Sequence, residues 1–188
     1  MECDPTTANC LNGIDRGNGP TNRDGDKIVI DQIFINGTIK QQAQDGVSNA
    51  PPSPSTVFIA LVLDKQTNGV QLDSEDVYTN PGNCTDLTAS PVRNLQNTSR
   101  FKVLWKQRYV IQPGDWAWNG TNMDFCGNLI KFQKFLKVNI PVQYTGSGAT
   151  VSVISDNSLH VLACKSESTG ELSPVTNLNY NARVRFRG

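Results

Sequence analysis

Histidine is almost absent from the sequence, and this scarcity limits the kinds of catalytic and metal-binding site that the chain can form. The one histidine is His160, which lies in a predicted strand and is therefore expected at the surface or in an interface. A nucleophilic triad needs a base, and a zinc site usually draws on several histidine or cysteine ligands. The five cysteines include no C-x-x-C pair, so we interpret them as reduced thiols. No G-x-S-x-G or P-loop pattern occurs. We therefore expect no enzyme activity, no metal and no cofactor.

An excess of one charge and long apolar runs are also lacking. Lysine plus arginine and aspartate plus glutamate each total 17, so the net charge is zero. This argues against a free, strongly basic nucleic-acid-binding protein but allows one basic face. No apolar run approaches the roughly 20 residues of a membrane helix, and we expect no membrane insertion. Residues 1–5 resemble neither a signal peptide nor a transit peptide.

The sequence is rich in strand patterns, and its 188 residues fit one domain or one domain plus an arm. Residues 1–26 are polar and rich in Gly, Asn, Asp and Pro, which predicts an N-terminal arm or extended segment before a domain over residues 27–188. Lys27–Ile39 is β-branched, and its apolar positions shift parity midway, which predicts a bulge or a strand with two neighbours. Thr56–Asp64 is apolar on both faces and predicts a central strand.

Further segments complete an all-β pattern. Leu72–Tyr78 is a candidate helical turn capped by Asp73, and Pro91–Asn97 is a candidate second short helix. Additional strands are predicted over Arg100–Ile111, Leu129–Ile140, Asn157–Cys164 and Asn179–Arg187. Strands separated by polar loops of mixed length predict an eight-stranded jelly-roll sandwich with one or two short helical turns in its loops.

An alternating basic pattern stands out in the last predicted strand. Arg183, Arg185 and Arg187 alternate with Val184 and Phe186, which places the guanidinium groups on one face. Like charges in a row are costly unless phosphates or carboxylates meet them. The pattern therefore predicts either a surface that contacts the backbone of nucleic acid, or ion pairs with a neighbouring strand or subunit.

Lysines recur at every third position of the predicted strand Leu129–Ile140, at Lys131, Lys134 and Lys137. We predict that they add to the same positive field or form a solvated face.

Two tryptophans, Trp116 and Trp118, lie among turn residues. We expect them to be buried in the core or to anchor a protein interface, where tryptophan is enriched. Acidic residues around Asp24 and Asp73 could hold a cation, but a turn and a helix cap explain them without one.

Blocks of residues in order along the chain resemble a known family. They are Cys10–Asn12, Arg23–Ile28, Asn36–Ile39, Ala60–Gly69, Ser74–Tyr78, Arg100–Trp105, Leu136–Pro141 with Tyr144, Ser155–His160 and Tyr180–Phe186. They are similar to the shell domain in capsid proteins of circular, Rep-encoding single-stranded DNA viruses. The likeness is greater to unclassified members, whose shells resemble those of satellite plant viruses, than to animal circoviruses.

The resemblance implies a jelly roll that assembles with itself into a small, T=1-like icosahedral shell around a single-stranded DNA or RNA genome. It places the chain in the virion, with assembly in the host nucleus or cytoplasm. Members usually begin with an Arg/Lys-rich arm, whereas residues 1–26 hold only Arg16 and Arg23. We therefore expect genome contact to depend on the arginines of the last strand.

Two other functions are compatible with an all-β domain. A non-viral jelly-roll module that binds carbohydrate or a receptor would form trimers and is usually secreted. A cupin-like enzyme would need several histidine ligands for its metal.

Overall fold

The computed structural model describes residues 9–42, 55–79, 92–111, 116–118, 123–125, 129–166 and 175–188. The strands are β1 (Asn9–Cys10), β2 (Lys27–Gln42), β3 (Ser55–Asp64), β4 (Tyr78–Thr79), β5 (Val92–Arg93), β6 (Phe101–Ile111), β7 (Trp116–Trp118), β8 (Met123–Phe125), β9 (Leu129–Tyr144), β10 (Ile154–Asp156), β11 (Ser158–Ser166) and β12 (Val175–Arg187). A helical turn, α1, spans Ser74–Val77, and a 3-10 turn spans Val151–Val153.

Two four-stranded sheets form the body of the domain. The first sheet has the order β1-β11-β3-β6, and the second has the order β10-β9-β2-β12. All strand pairs within both sheets are antiparallel. Strands distant in sequence are neighbours, because β11 lies beside β3 and β12 lies beside β2. This confirms the predicted all-β, jelly-roll-like sandwich.

The main core lies between the two sheets. Isoleucines of β2 face leucines and valines of β3, and residues of β9, β10 and β11 close the cluster. Ile30, Ile33, Ile39 and Leu61 are completely buried. Each such side chain contributes about 1.5–3 kcal/mol when it leaves water, which makes this cluster the main source of stability.

The inward-facing positions of β2 change from even-numbered to odd-numbered residues partway along the strand. Ile28 and Ile30 point inward, and beyond Asp31 the inward positions are Ile33, Ile35 and Ile39. The pairing registers of β2 with β12 and with β9 both shift between Ile30 and residue 32. The parity shift in the sequence therefore predicted the irregularity correctly, and the alternative of two neighbours is also confirmed.

Aromatic residues fill one end of the core. The Phe132 ring stacks against Trp105, with centroids 6.3 Å apart. The same ring crosses Gly37, where an added Cβ would lie 2.6 Å from its Cζ. Only glycine fits at this close approach between the ring and the backbone of β2.

Strand β3 is buried on both faces, as predicted for a central strand. Its second face holds Phe58, Ala60 and Val62, which pack under Leu72 and Val77 from the segment around α1. Phe58 meets the Tyr78 ring edge-to-face at 5.2 Å. A second, smaller core therefore lies outside the first sheet.

The first predicted helical turn is confirmed, and the second is wrong where the structure describes it. Asp73 caps α1, because its carboxylate accepts a hydrogen bond from the backbone N–H of Glu75 at 3.1 Å. Val92 and Arg93, which belong to the predicted second helix, form β5 and pair with β4. Long-range pairing supplies the backbone partners there, so the local helix signal is overridden.

Residues 9–26 lie against the sandwich through a buried arginine. The Arg23 guanidinium is fully buried and donates to the carbonyls of Ile14 (3.0 Å), Gly25 (2.6 Å) and Gly146. It also lies 4.0 Å from the centroid of the Tyr144 ring. These contacts join residues 9–26 to the end of β9. The division of the chain into an arm and a domain at residue 26 stays a prediction.

We expect Arg23→Leu to lower the free energy of unfolding by about 3 kcal/mol, because part-buried carbonyls would lose the buried, charged donor that they share. Chemical denaturation measures the change. Arg16→Ala is the matched control, since that side chain is 52% exposed and its ion pair with Asp26 contributes less than about 1 kcal/mol. Equal losses in the two variants would contradict the role assigned to Arg23.

Candidate nucleic-acid interface

The outer face of the second sheet is strongly basic. Side chains alternate along each strand, so residues next to the core-facing Val184 and Phe186 point outward. The exposed cations on this side, which we call the basic face, are Lys27, Lys40, Lys131, Lys137, Arg183, Arg185 and Arg187. They come from three adjacent strands, β9, β2 and β12.

The strand register sets the cations in rows across the basic face. Lys137 of β9 and Arg185 of β12 lie opposite the same residue of β2, Gln32. Arg185 donates to the Gln32 side-chain oxygen at 3.4 Å. Adjacent strands are about 4.8 Å apart, so the two cations flank a neutral strip about 10 Å wide.

Carboxylates neutralise only part of this charge. Arg187 pairs with Asp31 at 3.3 Å and also donates to Asn139 at 3.2 Å. Within the described ranges no carboxylate pairs with Arg183 or Arg185. The ion-pair interpretation therefore fits Arg187, while the other two arginines keep uncompensated charge that favours an anion.

The charge is better balanced at one end of the basic face. A cavity of about 600 Å³ lies there, and the residues that line it include Lys27, Val29, Gln143, Asp156, Arg187 and Gly188. Asp156 and Asp31 both lie near this end, so the excess of positive charge is concentrated around Arg183 and Arg185.

The structure brings together most of the predicted basic residues. Arg183, Arg185, Arg187 and Lys131 share the basic face. Lys134 does not, because it lies opposite the buried Ile35 on the core-facing side of β9 and is half-buried. Because side chains alternate along a strand, a spacing of three residues places Lys134 on the other face of β9 from Lys131 and Lys137.

The predicted tryptophan anchors form part of a small hairpin. Trp116 and Trp118 lie in β7, which pairs with β8 through the partners Phe125 and Met123. Their side chains lie outside the described residues, so the interface role stays a prediction.

Sequence reasoning missed two aromatic residues on the basic face. Phe34 of β2 and Phe135 of β9 are direct cross-strand partners on the outward side. Phe135 is 48% exposed. The outward parity of Phe135 with Lys131 and Lys137 was available from the sequence, but its pairing with Phe34 depends on the register.

His160 is not the surface or interface residue that its strand position predicted. It is fully buried, and its Nε2 lies 2.8 Å from Ser158 Oγ. Among the described residues, its Nδ1 has no hydrogen-bond partner, and the nearby Asp64 instead accepts two hydrogen bonds from Arg100 at 2.9 and 2.8 Å. Burial lowers the pKa of His160 to about 4. His160 and Ser158 are both buried, and no carboxylate of the described residues orients the imidazole as in a triad.

Two of the acidic residues in the segments considered for a cation have protein partners. Asp73 caps α1, and Asp26 pairs with Arg16 and Arg23. In the part of the chain that the structure describes, no group of three or more His, Cys, Asp or Glu side chains could hold a metal ion. No helix in the same part is long and apolar enough to span a membrane.

A comparison with models of known protein families finds a match over nearly the whole chain. Residues 4–187 match the model of the Geminivirus coat protein/nuclear export factor BR1 family. No curated protein matches the chain significantly.

The buried His160 predicts a specific loss of stability in acid. Its folded pKa of about 4 lies below the ordinary value of 6.5, so the unfolded chain binds the proton more readily. The contribution of the neutral imidazole is complete above pH 6.5 and is lost as the pH falls to about 4, by about 3 kcal/mol. Chemical denaturation at pH 7 and pH 4.5 measures it.

His160→Asn is the control for this experiment. Carboxylates titrate in both proteins, so the difference in pH dependence isolates the imidazole. A variant with the same pH dependence as the natural protein would contradict the prediction.

Proposed function

The chain belongs to the Geminivirus coat protein/nuclear export factor BR1 family, and from this premise we propose that it assembles into a small, T=1-like icosahedral shell around a single-stranded genome. Membership makes the chain a capsid protein of a circular single-stranded DNA virus, and its place is in the virion. Coat proteins are structural and not enzymatic. The shell geometry, the packaged strand and assembly in the nucleus or cytoplasm are the proposed part.

The chain's charge supports assembly with copies of itself. Its net charge is zero, so subunits can approach without the long-range repulsion that a strongly charged chain would suffer. A closed shell needs large complementary surfaces related by symmetry. The rigid antiparallel sandwich can hold such surfaces in fixed orientation.

The basic face is the observation that carries the genome part of the proposal. Arg183 and Arg185 have no carboxylate partner among the described residues, and Lys131 and Lys137 lie on the same side. Phosphates of a single strand would neutralise this charge without reading sequence. We propose that the basic face lines the inside of the shell.

The first test is the size and content of the purified protein. Size-exclusion chromatography and negative-stain imaging should show shell-sized particles, and the ratio of absorbance at 260 and 280 nm should reveal nucleic acid. Nuclease digestion of the extracted strand distinguishes DNA from RNA. A trimer without nucleic acid would contradict the proposal and would fit the carbohydrate- or receptor-binding alternative.

Charge reversal should separate packaging from assembly. We expect Arg185→Glu to reduce the nucleic acid per particle several-fold while particles still form. For a bound oligonucleotide, the slope of log affinity against log salt should fall by about 0.7 for each lost phosphate contact.

Arg108→Glu is the matched control for this charge reversal. Arg108 is an exposed arginine of β6 in the first sheet, away from the basic face. If both variants package equally, or if Arg185→Glu abolishes particles, then the genome role assigned to the basic face is wrong.

A further inference from the structure

Two phenylalanines lie at the centre of the basic face. Phe34 and Phe135 are direct partners across β2 and β9, and neither packs into the core between the sheets. Phe135 is 48% exposed, although four of the seven phenylalanines are buried or packed against the hydrophobic cores: Phe58, Phe101, Phe132 and Phe186. The outward pair therefore offers aromatic surface to a partner outside the subunit.

The neighbours of the pair are arranged in three rows. Arg183 lies opposite Phe34 on β12 and completes the aromatic row. The row on one side carries the cations Lys137 and Arg185. The row on the other side holds only amides, which are Gln133, Asn36 and Asn181. Aromatic rings thus lie between groups that suit phosphates and groups that suit the edges of bases.

We infer that Phe34 and Phe135 form a stacking platform for unpaired bases, so that the basic face binds single-stranded nucleic acid through its bases as well as its phosphates. The inference rests on the proposed genome contact and deepens it. Every base has a π-face, so stacking tolerates any sequence. In a duplex the faces of the bases are covered by their neighbours, so they cannot stack on the rings. The platform would therefore favour unpaired strands over duplexes.

The positive charge of the basic face favours nucleic acid over a second copy of the chain as the partner that covers the two rings. Protein interfaces are depleted of charged residues at their centre. Two copies meeting through this face would bring Arg183, Arg185 and Lys137 against the same cations. A polyanion instead neutralises them and covers the rings in the same step.

The experiment compares strands that differ only in their bases. Fluorescence anisotropy of the full chain, kept dilute and unassembled, measures binding of an oligothymidine, an abasic oligonucleotide of equal length and a duplex. We expect the natural protein to bind the oligothymidine about tenfold more tightly than the abasic strand. Phe135→Ala should remove most of this preference and leave the affinity for the abasic strand unchanged.

Two further variants serve as controls. Leu129→Ala removes another exposed apolar side chain from the outward side of β9, 51% exposed and away from the aromatic row, and should keep the preference. Phe135→Trp should keep or increase it. Both should retain the circular dichroism spectrum of the natural protein.

The possible failures are distinguishable. Equal binding of the oligothymidine and the abasic strand by the natural protein would overturn the stacking platform and leave the proposed shell and its phosphate contacts intact. Loss of particles in Phe135→Ala, with the base preference unchanged, would identify the pair as a contact between copies and also overturn it. Absence of binding to every strand would overturn both the genome contact and the platform.

Discussion

The alternation of side chains along β2, broken once at Asp31, governs which side chains of the second sheet face the core. This strand is the only described one that pairs with both β9 and β12, and its isoleucines supply much of the core. A one-residue slip turns every side chain of a strand to the other face. The irregularity at Asp31 makes that change once, so Ile30 and Ile33 both point inward. Strand β12 does not change parity, and its arginines therefore stay together on the outer side.

The same alternation separates stability from binding across a single sheet. The inner side of β9 contributes Phe132, Ile140 and Tyr144 to the core, and the outer side contributes Lys131, Phe135 and Lys137. Outer side chains can carry charge without disturbing the packing on the inner side. The cost is like-charge repulsion, which Asp31 relieves only at Arg187. One face of the sheet thus supplies the packing of the core, and the other supplies the positive charge on which the proposed genome contact depends.

Features that depend on local periodicity could be predicted from the sequence, and features that depend on distant partners could not. The central position of Thr56–Asp64, the irregularity in β2 and the shared face of Arg183, Arg185 and Arg187 follow from alternation alone. The same rule could have placed Lys134 on the inner side. The local sequence did not predict the burial of Arg23, because the neighbouring residues 15–26 are mostly polar. One of its hydrogen-bond acceptors, the Gly146 carbonyl, also lies far along the chain. The pairing of Phe34 with Phe135 likewise needed the register.

The pairing of β2 with β12 also determines when the second sheet can be completed during synthesis. Val29 pairs with Arg187, and Ile39 pairs with Leu178, so the outer strand of the second sheet comes from residues made long after β2. During synthesis the isoleucines of β2 can be buried only after β3 and β9 have been made. The edge of β2 that pairs with β12 stays unpaired until β12 has been made. Such non-local pairing folds slowly and leaves an unpaired strand edge exposed in the meantime. One edge of β2 therefore stays unpaired, and open to aggregation, until β12 has been made.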